Sequence, residues 1–557
     1  MSADLNNSKK FFDLALKSHK ENKLSDAEKF YCQALELNPS HFDAIFYLAS
    51  LYAQVKNLIK SKDLFEKAIQ LRPSYALTYS NLGAVLKELG KFEEAVIVCK
   101  KSIKLQPNNA DTMGNLGAAL KELGKLQEAV TICQQAIKID PNNLAAHLNL
   151  ALTLIEQGEI QQAIDCYKKL SEINSNPAKF YQNLGQLYVV LGNKKEAIKY
   201  YQLAIKYQPE NLNNYYHLSD LDNKILNTDL KKNINKIILK DKNKNNLAYA
   251  NFLLSKYESN SKNYEMEFNY LLKAHSHFLD SEKKEYKNDI EYWLNVLPNN
   301  KQLNSLKIID AKVQKDKSTA TPIFIVGVPR CGSTLVEKII GSGSQNVVTG
   351  EEIGAISILV KQNIIKKKSV YERVNDIKIE ILEKYKQKKL IQNKNNYIFT
   401  DKTLDNFFYI GLIIAIFPQA KVINCKRNAL SSIMSIIKNN LVDVPWAHNI
   451  EHIFKYFDIY YRTIAHYEKT FPNFIYSLDY EKLVNDPETE SKKLMDFCDL
   501  PWDKKCLEFY KRKDLISKTA SNVQIRQAIY KDSIKKYLPY KKFLDKYGEK
   551  YLWYNKK

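Results

Sequence analysis

Gly327 and Gly332 bracket a short segment, Val328-Pro329-Arg330-Cys331, and Ser333-Thr334 follow directly. An apolar, β-branched run (Ile323, Phe324, Ile325, Val326) precedes them and an amphipathic stretch follows, which predicts a strand, a tight loop and a helix N-terminus. Unpaired backbone N–H groups and the positive end of the helix dipole converge on such a loop, so it suits an anion. The spacing nearly reproduces the triphosphate loop GxxxxGK[ST], but Ser333 stands where the lysine belongs. That lysine reaches the β- and γ-phosphates, so its absence argues against ATP or GTP. Arg330 supplies positive charge instead, which fits a ligand with one 5′-phosphate carrying a transferable group.

Three further stretches carry chemistry. Arg427 closes the run Val422 to Cys425, and Ser435 lies two helical turns further on. An arginine fork makes bidentate, charge-assisted bonds to phosphate, and a hydroxyl on the following helix can share the anion. Lys402 follows Asp401 at another predicted strand end, and Gly350-Glu351-Glu352 follows a fourth. A carboxylate partly desolvated there can act as a base with a pKa raised by burial. Glu352 reads either as a second base or as a carboxylate at a helix N-terminus. Cys331, at the start of a helix, should favour the thiolate.

The elements that must position these groups alternate. Strands are predicted at Ile323–Gly327, Val347–Thr349, Tyr397–Thr400, Lys421–Cys425 and Asn473–Ser477, and helices at Ser333–Gly341, Leu404–Phe417, Ala429–Asn440 and Ile450–Thr470. This is an α/β domain with a mainly parallel sheet, in which ligands sit beyond the carboxyl ends of the strands.

The N-terminal half is different. Pro39, Pro73, Pro107 and Pro141 recur every 34 residues, with Ser175 and Pro209 in the next slots. Leu48, Leu82, Leu116, Leu150 and Leu184 keep step on first helices, and Ala27, Ala95, Ala129, Ala163 and Ala197 on second helices. Gly83, Gly117 and Gly185 allow the paired helices to approach, and Cys99 and Cys133 read as small core residues. The pattern resembles the tetratricopeptide repeat, with six units from Ser8 to Pro209 and a decaying seventh near Tyr215. The expected fold is therefore an α-helical solenoid over residues 1–219, whose concave face takes a protein or peptide partner, the acceptor included. Degenerate helical repeats and a linker follow over 220–314, with one more helix pair turning at Glu258 to Asn263, a loop at Lys240 to Asn246 and the linker at Gln314 to Ala320. The α/β domain occupies 321–550.

Composition narrows the function classes. The 557 residues are 45% hydrophobic and 26% charged, a globular profile. Eight scattered cysteines without a CxxC pair give no zinc or redox signature, so no metal is expected and reduced thiols fit a cytoplasmic protein. MSADLNNSKK has no apolar h-region and the run Phe407 to Phe417 is too short to span a bilayer, so neither signal peptide nor membrane anchor is expected. The net charge of +22 invites nucleic acid, but lysine is spread along the chain and no basic run is interleaved with aromatics. No nucleic-acid partner is expected. The charge would equally favour an anionic cofactor or an acidic acceptor.

Taken together, PRCGSTL, the strand–Arg427–Ser435 element, GEE, TDK, YEKLVNDPE and LMDFCDLPWD resemble sulfotransferases that use 3′-phosphoadenosine 5′-phosphosulfate (PAPS). More narrowly, they are similar to tetratricopeptide-containing bacterial sulfotransferases, relatives of the tyrosylprotein sulfotransferases. The resemblance covers Pro322 to Leu544. It implies that Arg330, Cys331, Gly332, Ser333 and Thr334 hold the 5′-phosphosulfate, and that Arg427 and Ser435 hold the 3′-phosphate. It further implies Glu351 as catalytic base, Lys402 as stabiliser of charge on the bridging oxygen and Tyr480 beside the cofactor. Within Thr519 to Arg526, the loop closing over PAPS, Ser521 would sit near the transferring group and Arg526 near the nucleotide, with Lys536 returning to the phosphate. Cys331 and Asn428-Ala429 depart from the family pattern without removing a charged ligand. The acceptor would be a protein tyrosine, a saccharide or a small alcohol. A degenerate P-loop kinase and a catalytically silent repeat adaptor are the alternatives.

Overall fold

The computed structural model describes the chain apart from residues 1, 282, 301–302, 304–319, 344–346, 366–369, 371–372, 392–396, 513–525, 530–534 and 556–557. It comprises two compact units, Met1–Phe180 and Tyr181–Lys557.

The first unit is a run of antiparallel helix pairs, from Ser2–Lys20 with Leu24–Leu37 to Leu144–Gln157 with Ile160–Ile173. Its period has a packing cause. Ala27, Ala95, Ala129 and Ala163 are fully buried where second helices meet first ones, and Leu48, Leu82, Leu116 and Leu150 fill the space beside them. A Cβ on Gly83 would run into Cys99 Sγ, and one on Gly117 into Cys133 Sγ, so each glycine–cysteine pair sets a close helix approach. Both thiols are wholly buried and pushed up to about 12 by desolvation, as expected of inert core residues. The asparagines before the prolines' partner helices also work locally: Asn109 and Asn143 accept the N–H of Thr112 and Ala146, capping the helices that follow.

The second unit opens with the repeat helices ending at Tyr207, then Leu212–Leu221, Thr228–Lys240 and the expected pair Lys244–Asn260 and Tyr264–Ser281. The loop expected at Lys240 to Asn246 is shorter, because Asn243 caps a helix that starts at Lys244 by accepting the Asn246 N–H. Phe252, Leu271 and Leu294 of this helical region share one hydrophobic core with the sheet. The segment assigned as linker, 314–320, lies outside the described residues up to Ala320, where the first strand begins.

Among the described residues five strands form one sheet: β1 (Ala320–Gly327), β2 (Val348–Thr349), β3 (Tyr397–Asp401), β4 (Lys421–Lys426) and β5 (Ile475–Asp479). Their order is β2-β3-β1-β4-β5 and every pairing is parallel. The last strand lies two residues beyond its expected place, because Ile475 aligns with Val422 and Asp479 caps the following helix by accepting the Lys482 N–H. The helix expected over 404–417 begins as a 3₁₀ segment, Leu404–Tyr409, before the α-helix Ile410–Ile416. Helices Ala355–Ile365 and Val374–Gln387 were not anticipated. The chain leaves β1 toward β3 and β2 but leaves β4 toward β5, so the crevice between the carboxyl ends of β1 and β4 is the topological switch point.

Candidate functional site

At that switch point Gly327 pairs with Cys425, so the loops carrying Arg330 and Arg427 leave the sheet side by side. Arg427 donates from Nη1 to the Arg330 carbonyl at 2.9 Å, and Arg330 donates from Nε to Ser435 Oγ at 2.9 Å. Ser435, expected to act beside Arg427, thus holds the other arginine and joins both loops to the helix Ala429–Ile437. Asn428 fixes that helix by capping Ser431 N–H, while its own N–H donates to Glu481.

Arg330 adopts φ 70° and Glu351 φ 56°. The other non-glycine residues with positive φ end helices or sit in turns after them; these two leave strand ends at the candidate site. Strained backbone persists only where its surroundings over-determine it, and here that strain aims both residues. Gly332 has φ 98°, and a Cβ there would enter the Tyr480 ring. Tyr480 in turn stacks under the Arg427 guanidinium, 4.6 Å from the ring centre. It is therefore a wall that holds the loop and the arginine together. The helix Ser333–Ser342 begins at Gly332 without a side-chain cap, the kind of start at which an anion binds.

The acid–base groups form a second layer beside this cradle. Lys402 continues the ladder between β3 and β2 by donating its N–H to the Glu351 carbonyl at 2.8 Å. Its ammonium is fully buried and lies 3.0 Å from Glu352, which is therefore an ion-pair partner and not a helix-terminal carboxylate. Burial alone would push this ammonium down, but the carboxylates of Glu337, Glu352 and Glu351 outweigh it and hold its pKa above the ordinary value. Glu351 points instead toward Lys338, 3.8 Å away.

Glu337 and Lys338 are the residues the sequence reading missed. Glu337 is wholly buried and accepts from Thr400 Oγ1 at 2.7 Å and from the Glu351 N–H at 3.0 Å. It therefore fixes the backbone that presents Glu351. Lys338 is almost completely buried, and desolvation lowers its pKa although Glu337 and Glu351 oppose the effect. Two adjacent charged residues inside an otherwise uncharged helix (STLVEKIIGS) were the available signal.

Cys331 is also buried, and its pKa is lowered chiefly by a hydrogen bond from Cys425 and only secondarily by the helix start. Arg526 donates from Nη2 to the Val190 carbonyl at 2.6 Å and packs over Gly192, near enough to depress the Lys338 ammonium. Lys536 is exposed and makes no hydrogen bond or ion pair with described residues. Ser521 lies outside the described residues. A cavity of about 200 Å³ adjoins the cradle, with Pro329, Glu352 and Thr403 in its wall.

Comparison with known proteins shows which family models the residues of this site match. The model of the sulfotransferase family matches residues 322–504, and tetratricopeptide-repeat models match 43–75, 74–142, 120–180 and 178–211. An uncharacterized protein of Aquifex aeolicus (strain VF5) is 31% identical over 314 residues, covering 53% of this chain and 40% of that protein. The chain thus spans less than half the length of the curated relative it matches. Among solved structures, Pseudomonas aeruginosa pilF is 19% identical with a TM-score of 0.34, covering 40% of this chain and 99% of that one. YrrB, a TPR protein with an unusual peptide-binding site, is 23% identical with a TM-score of 0.28, covering 33% of this chain and 96% of that one. The cradle between β1 and β4 accordingly belongs to a sulfotransferase-family domain, which follows a series of tetratricopeptide repeats in this chain.

Proposed function

We propose that the chain transfers the sulfuryl group of PAPS to an acceptor hydroxyl. The observation that carries this reading is the bonded series Arg427–Arg330–Ser435 at the switch point, adjoining a helix start with no side-chain cap. The donor set fits a nucleotide with two anionic groups: Arg330, Gly332, Ser333 and Thr334 take the 5′-phosphosulfate, and Arg427 and Ser435 take the 3′-phosphate. Tyr480 walls the nucleotide side, and Cys331 contributes its backbone to the loop. PAPS supplies a sulfuryl group already bonded to a good leaving phosphate, so the protein needs to position, take a proton and neutralise charge.

Glu351 is the base. Its carboxylate faces the Lys338 ammonium, and its backbone is held by Glu337 and Lys402. The acceptor oxygen bonds to sulfur as the sulfur–oxygen bond to the 5′-phosphate breaks. The electron pair of that bond stays on the phosphate and the hydroxyl proton passes to Glu351. Charge gathering on the phosphate is met by Arg330 and Lys402, the latter kept ionised by the surrounding carboxylates. The sequence resemblance adds Ser521, Arg526 and Lys536 to this set. The repeats present the acceptor or a partner protein, a protein tyrosine being the acceptor the resemblance favours. No helix among the described residues is long and apolar enough to cross a membrane, and we place the enzyme in the cytoplasm.

Thermal unfolding tests the reading. 3′,5′-Adenosine diphosphate, the product nucleotide, should raise the unfolding temperature more than ATP with Mg²⁺, and labelled sulfate should leave PAPS for an acceptor in a lysate. Protection by ATP with Mg²⁺ alone would indicate a degenerate P-loop kinase; binding without transfer would indicate a silent adaptor.

A further inference from the structure

The cavity beside the cradle has a character opposite to the rest of the chain. The sequence carries 84 basic against 62 acidic residues, yet among the described residues every charged side chain lining this cavity is a carboxylate: Glu352, Asp405 and Asp443. Its other prominent groups are aromatic. Trp446 and Tyr456 stack with ring centres 3.8 Å apart and planes 13° apart, both almost completely buried, and Trp293 lines the wall as well. A rigid aromatic wall offers stacking surface for one ring or compact apolar body and, with the carboxylates, favours a cation.

The position of the cavity gives this wall its meaning. Pro329 directly precedes Arg330, Thr403 directly follows Lys402, and Glu352 directly follows Glu351; all three line the cavity. An occupant there is next to the loop that would hold the sulfuryl group and next to the base. Glu352 already has the Lys402 ammonium as partner. Among the described residues, the charges that weigh most on half-buried Asp405 are further carboxylates, Asp401 and Glu352, while Ser357 offers it a hydrogen bond. The local field therefore still calls for a positive charge after the internal ion pair is formed.

We propose that this cavity is the acceptor pocket and that it selects a compact hydroxyl compound bearing an ammonium group, with Asp405 and Asp443 facing the cation and Trp446 and Trp293 holding the body. The assignment rests on the sulfotransferase reading above. It replaces the protein tyrosine of the resemblance with a small amine and runs against the acidic acceptor that the overall charge of the chain favours, because an acceptor meets the local lining and not the net charge.

Three phenols of one size and different charge test it: tyramine, 4-ethylphenol and 3-(4-hydroxyphenyl)propionate, each titrated calorimetrically into the full chain saturated with 3′,5′-adenosine diphosphate. A tyrosine peptide with acidic flanks is the fourth probe. Tyramine should bind about tenfold or more tighter than the neutral phenol, and the anion weakest. At pH 8, where the Asp405 carboxyl is ionised, the Asp405→Asn exchange, which removes that charge and keeps its shape, should reduce the tyramine advantage to about threefold or less without changing 4-ethylphenol binding. Trp446→Phe should weaken all three phenols alike. Equal affinities, a preference for the anion, or tighter binding of the acidic peptide, with nucleotide binding intact, overturns the cationic acceptor and leaves the sulfotransferase reading standing. Failure of the nucleotide itself to bind overturns that reading and, with it, the cavity as an acceptor site.

Discussion

Arg330 donates to Ser435 across 105 residues of sequence, and Arg427 donates to the Arg330 carbonyl from the neighbouring strand end. Two loops that the sequence presents as separate phosphate sites are therefore one mechanical unit. A change at either end should be felt at the other.

Removing the guanidinium of Arg427 takes a charged hydrogen-bond donor from the 3′-phosphate and a support from Arg330. Arg427→Ala should weaken 3′,5′-adenosine diphosphate binding by about 1.5–3 kcal/mol. In a double-mutant cycle with Ser435→Ala, the two losses should depart from additivity by more than about 0.5 kcal/mol, because the residues share Arg330. Isothermal titration of the four proteins gives the answer, and strict additivity would mean the loops act independently.

Glu351 and Glu352 are adjacent but have different neighbours, the first facing Lys338 and the second paired with Lys402. Glu351→Gln should lower single-turnover transfer by roughly 10²- to 10⁴-fold while nucleotide affinity changes little, the range for loss of a general base. Glu352→Gln should spare the base and instead disturb the Lys402 ammonium. Rapid-quench kinetics on both variants separates the two roles, and an equal loss of nucleotide binding in both would refute the assignment.

Desolvation raises the Asp405 carboxyl from 3.8 to about 7, with the carboxylates of Asp401 and Glu352 adding to the shift and Ser357 opposing it. The folded state therefore holds this proton over a pH range in which the unfolded chain has lost it. Stability must fall as pH rises between these two values and level off above the folded one. Asp405→Asn removes that fall. Thermal unfolding should show little difference between the variant and the parent near pH 4, and a growing advantage for the variant up to about pH 7.

Gly332→Ala introduces a Cβ into the Tyr480 ring at φ 98°. Backbone strain of this kind costs roughly 1–3 kcal/mol before the collision is counted. The substitution should destabilise the domain and abolish nucleotide protection. Adding Tyr480→Ala should recover the part due to the collision and leave the part due to φ, which denaturant titration of the two variants can resolve.

The sequence determined a good deal by itself. A 34-residue period in Leu48, Leu82, Leu116 and Leu150 is legible because every repeat solves the same local packing problem, and the structure buries those residues as expected. The loop after β1 is equally legible, since an anion-binding strand–loop–helix is built from contiguous residues with fixed spacing. Helix Ala355–Ile365 escaped notice because its apolar residues come in blocks around a polar Lys361-Gln362-Asn363 (AISILVKQNII), which leaves no helical periodicity to read. Glu337 and Lys338 escaped because their burial depends on β2 and β3 closing over the helix, and Thr400 lies 63 residues from Glu337. The partners of Glu351, Glu352 and Lys402 were likewise settled by strand register: pairing Thr349 with Thr400 is what brings Glu351 beside Lys402. The charge of the cavity was the least legible of all. Net charge sums over the whole chain, whereas recognition depends on the few side chains that tertiary packing gathers around one space, and there packing collects carboxylates from three distant segments of a basic protein.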